Sequence, residues 1–150
     1  MEAIINFFSN ILSALFSSLF KTREPTEFDK QYEKLRFDVA SALTMYARYY
    51  HYPVDIAKQP DGKLPPEYEN ASIELRKLGS TASALAAIIP AKGKKQIEKK
   101  KKLEDASGCL IGLSNSMNTP YNCAFTSEDR RNVKGIELEI RKNLQLGENN

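Results

Sequence analysis

The sequence predicts an all-α protein, an N-terminal transmembrane helix followed by an antiparallel four-helix bundle. Three observations predict it. Residues 3–20 carry no formal charge, four later stretches repeat apolar residues at spacings of three and four, and no stretch alternates with the period-two pattern of a half-buried strand. On this reading residues 1–24 form a hydrophobic membrane helix, residues 25–147 a cytoplasmic helical bundle, and residues 148–150 a frayed tail.

The opening segment comes first because it sets the function classes. Eighteen uncharged residues lie between Glu2 and Lys21. As a helix they extend about 27 Å, close to the roughly 30 Å of a bilayer's hydrocarbon core. A signal peptide would need a basic start and a small-residue cleavage site, and an interfacial helix would carry Lys or Arg on its polar face. The segment has neither feature, so spanning is the expectation. Asn6, Ser9, Asn10, Ser13 and Ser17 share one sector of about 80° on a helical wheel, a polar seam suited to contact with a second helix. The chain has no second long apolar segment, so that partner helix belongs to another copy or another protein. Lys21 and Arg23 follow the segment, which by the positive-inside bias puts the N-terminus outside the cell membrane and the bundle in the cytoplasm.

Each bundle helix has its own start, stripe and stop. The first follows Pro25, with Thr26 as N-cap, acids in its first turn and a stripe of Phe28, Tyr32, Leu35, Val39, Leu43, Tyr46 and Tyr50 ending before Pro53. A turn-rich loop with Pro60, Asp61, Gly62 and Pro65-Pro66 leads to the second, whose stripe of Tyr68, Ala71, Leu75, Leu78, Ala82, Leu85 and Ile89 stops at Pro90. The third runs over about residues 95–118 and turns Leu103, Ala106, Leu110, Leu113 and Met117 inward. The fourth starts near Ser127, buries Val133, Ile136, Ile140 and Leu144, and takes Gly147 as its C-terminal cap. Short connections make successive helices antiparallel. Gly108 and Gly112, spaced as G-x-x-x-G, are expected to permit close helix packing inside the bundle.

Composition excludes more than it assigns. A hydrophobic share of 41% with 27% charged residues describes a foldable chain. The net charge of +3 is uneven: the first 75 residues hold 8 basic and 11 acidic side chains, the last 75 hold 14 and 8. Cys109 and Cys123 stand alone, without a C-x-x-C or Cys/His cluster, and read as free thiols. No phosphate-binding glycine loop, nucleophile–base pair or metal-ligand spacing is present, so no catalytic residue, metal or cofactor is expected and the protein is read as non-enzymatic.

Two clusters remain as binding candidates. Lys92, Lys94, Lys95, Lys99, Lys100, Lys101 and Lys102 crowd the start of the third helix, where the helix dipole disfavours cations. In an up-down bundle this connection faces the membrane, so the run is expected to contact anionic lipid head groups. No aromatic or arginine interleaves it, which speaks against nucleic acid. Tyr46, Arg48, Tyr49, Tyr50, His51 and Tyr52 form an aromatic patch that either docks an unidentified protein or plugs the end of the bundle. The sequence therefore predicts a membrane-anchored bundle acting by self-association and protein–protein contact. One alternative is an oligomeric membrane-permeabilising effector, of a bacterial toxin or antiviral-defence type, assembled through the polar seam. The other is a soluble helical oligomer with a buried or swapped first helix.

Overall fold

The protein is seen as a computed structural model that describes residues 24–51, 65–117 and 127–147. Within these lie α1 (Glu27–His51), α2 (Pro66–Ala87), α3 (Lys94–Met117) and α4 (Ser127–Asn143). All four coincide with the stripes read from sequence, and the expected all-α four-helix bundle is what forms.

Local chemistry accounts for the ends of the helices. Thr26 and Asp29 cap α1 reciprocally. The Asp29 backbone N–H donates to Thr26 Oγ1 at 3.2 Å, and the Thr26 backbone N–H donates to Asp29 Oδ2 at 3.0 Å. Pro66 opens α2 at a position whose N–H would have no intrahelical acceptor, with Glu67 and Glu69 favourably placed in the first turn. At the end of α4 the structure departs from expectation. Gln145, not Gly147, adopts the left-handed conformation (φ 54°). The Leu146 N–H returns to the Arg141 carbonyl at 2.8 Å, and the Gln145 N–H to that of Lys142 at 3.2 Å. This is a Schellman cap without glycine. Two contacts hold it: Leu146 packs on the core, and Arg36 of α1 donates to the carbonyls of Leu144 (2.8 Å) and Gln145 (2.6 Å).

The stripes meet in one core. Leu35, Val39 and Leu43 of α1, Leu75 and Ala82 of α2, Leu103, Leu110 and Leu113 of α3, and Ile140 of α4 are all fully or almost fully buried. The α2–α3 interface is the most extensive, and a glycine explains why. A β-carbon at Gly79 would lie 2.8 Å from Ile111 Cγ1 and 3.1 Å from the Ser107 carbonyl oxygen. The close approach thus falls at Gly79. At Gly108 and Gly112 an added β-carbon would meet nothing within 4 Å, so the G-x-x-x-G pair is not the packing seam. Two turns along the same interface from Gly79, Ser72 and Ser114 close a buried reciprocal pair: the hydroxyls are 2.9 Å apart and Ser114 Oγ donates to the Ser72 carbonyl at 2.8 Å.

The membrane part of the expectation is corrected. Among the described residues no helix is long and apolar enough to cross a membrane. Each described helix has an outer face bearing charged residues, which hydrocarbon would strip of water. The single-pass, N-terminus-outside arrangement, the cell-membrane placement and the pore-forming reading thus have no spanning element among these residues and are withdrawn. The segment on which they rested, with Asn6, Ser9, Asn10, Ser13 and Ser17, lies outside the described residues, as does the tail 148–150.

Candidate functional site

The aromatic patch is built into the bundle more than it is presented to solvent. Tyr50 is buried, and its hydroxyl donates to the Leu43 carbonyl at 2.6 Å. Tyr46 hydrogen-bonds Glu74 of α2, an interaction that, with burial, pushes its phenol up to about 12. Tyr49 meets Tyr68 of α2 edge-on, centroids 4.7 Å apart, a favoured aromatic geometry. His51 Nε2 lies 2.7 Å from Glu137 Oε2 of α4, and the other oxygen of Glu137 accepts from Arg141 Nε at 2.9 Å. The Glu137 and Arg141 side chains are only 15% and 11% exposed, so this is a mostly dehydrated ion pair. Arg48 alone is exposed, its guanidinium 4.6 Å above the Tyr49 ring. Tyr52 lies outside the described residues. The cluster therefore joins the C-terminal end of α1 to both α2 and α4.

The lysine run sits at the opposite end. Gly93 (φ 82°) makes the turn into α3, and Lys94 begins the helix. Lys99 does not reach outward: its ammonium lies 4.3 Å from the Phe28 ring centroid and 4.8 Å from that of Tyr32. It thereby pins the start of α3 to the start of α1. Lys102 pairs with Glu98 one turn back at 2.9 Å. The lipid contact expected for Lys92, Lys94, Lys95, Lys99, Lys100, Lys101 and Lys102 assumed a membrane beside this end of the bundle. With no membrane-crossing helix among the described residues that premise goes, and Lys99 serves intramolecular packing.

Sequence reasoning passed over the outside of the bundle. Phe37 (73% exposed) and Met45 (64%) stand on the face of α1 turned away from the core. They continue a register of Glu27, Lys30, Lys34, Phe37, Ser41, Met45 and Arg48, spaced at three and four, and every member is exposed. The signal was present in the spacing, masked by the stronger inward stripe of the same helix. A second surface follows the C-terminal half of α2, where Ser80, Ala84 and Ile88 are exposed along one line and residues 78–91 carry no charge; Arg76 and Lys77 separate it from exposed Ile73.

Among the described residues no group of three or more His, Cys, Asp or Glu is placed to hold a metal ion. Cys109 is a free, half-buried thiol whose burial raises its pKa, away from nucleophilic reactivity. Comparison with known proteins returns no match: no family model, no curated protein and no solved structure is similar to this chain.

Proposed function

We propose that this chain works by association and not by catalysis: a helical bundle that assembles with further copies of itself, residues 3–20 being buried between bundles or exchanged from one copy to the next. The reading rests on a match of surfaces. Eighteen consecutive uncharged residues, rich in Ile, Leu and Phe, are costly to leave in water. Among the described residues the four helices close a core with one another's stripes. Their outside offers that segment a place. Past Arg76 and Lys77, the line Ser80, Ala84, Ile88 at the C-terminal end of α2 is uncharged and starts with small residues, which lets another helix approach closely. It also lies toward the right end of the bundle. Lys99 over the Phe28 ring puts the start of α3 beside the start of α1, and residue 88 closely precedes the one as residue 24 precedes the other.

Light scattering on the full chain after size exclusion tests this. The expected result is a mass of more than one copy that persists on dilution. A full-length Leu12→Glu/Leu15→Glu variant is expected to return to a single copy with the helicity of the bundle retained. A wild-type chain of one copy at every concentration would end the proposal.

A further inference from the structure

We draw no further inference here: the strongest candidate, the outer face of α1 centred on exposed Phe37 and Met45, carries nothing, because acidic and basic residues share it and nothing in the structure shows what covers it.

Discussion

The three glycines of α2 and α3 separate two physical effects that usually travel together. Glycine lowers helix stability by about 1 kcal/mol relative to alanine unless space requires it. At Gly79 space does require it: a β-carbon would press on Ile111 and on the backbone of α3, which cannot move aside without parting the helices. Gly79→Ala is therefore expected to destabilise the bundle by about 1–3 kcal/mol despite the better helix former, because overpacking outweighs propensity. Gly108→Ala meets open space and is expected to stabilise by about 0.5–1 kcal/mol. Urea unfolding of the two variants reads both signs. A destabilised Gly108→Ala and a neutral Gly79→Ala would mean that the α2–α3 contact has been placed wrongly.

Among the described elements, α4 is the shortest helix, and an ion pair shielded from water adds to its apolar packing. Glu137 serves two partners at once, His51 from α1 and Arg141 from its own helix, in a site from which most water is excluded. Glu137→Ala would strand the Arg141 cation there and is expected to cost about 2–4 kcal/mol. Glu139 makes a longer, exposed pair with Lys142 at 3.4 Å, and Glu139→Ala is expected to change nothing measurable. Chemical denaturation of the pair of variants compares them under one set of conditions. The stripe of α4 was legible in the sequence, since Val133, Ile136, Ile140 and Leu144 repeat at three and four whatever their neighbours are. Its end was not. Gly147 is the residue that backbone preference selects for a cap, but Leu146 gains by reaching the core and Arg36, over 100 positions away, donates to the freed carbonyls, so the turn falls at Gln145. Long-range partners also explain the other departures. Nothing local to the lysine run indicates that Lys99 will find two aromatic rings on α1, and nothing local to Gly79 indicates which helix will press against it. The outer register of α1 was visible only to a search for a second stripe on a helix already assigned its first.

At the scale of the whole molecule, tyrosines stitch the helices to one another, and this sets an alkaline limit on the fold. Tyr50 is buried at the end of α1, and burial raises its pKa. Tyr46 is raised to about 12, first by its hydrogen bond to Glu74 and then by burial. Tyr32, under Lys99 at the other end of the helix, is raised mainly by burial. In each case the folded protein holds the phenol proton more tightly than the unfolded chain, where tyrosine titrates near about 10. The sign follows from proton linkage. Their contribution is complete below about pH 10 and is lost as the pH climbs toward the folded values, because above about pH 10 the unfolded state alone releases the protons. The urea midpoint is therefore expected to stay level between about pH 8 and 9 and to fall steeply from about pH 10.5 upward. Tyr50 should dominate, since its ionisation would place a charge inside the bundle with no water to receive it, whereas Tyr46 is partly solvated and screened. Tyr50→Phe accordingly lowers the plateau through loss of the bond to the Leu43 carbonyl but flattens the alkaline slope, and Tyr46→Phe flattens it less. An alkaline slope identical in wild type and Tyr50→Phe would show that the buried phenol is not what limits the bundle at high pH.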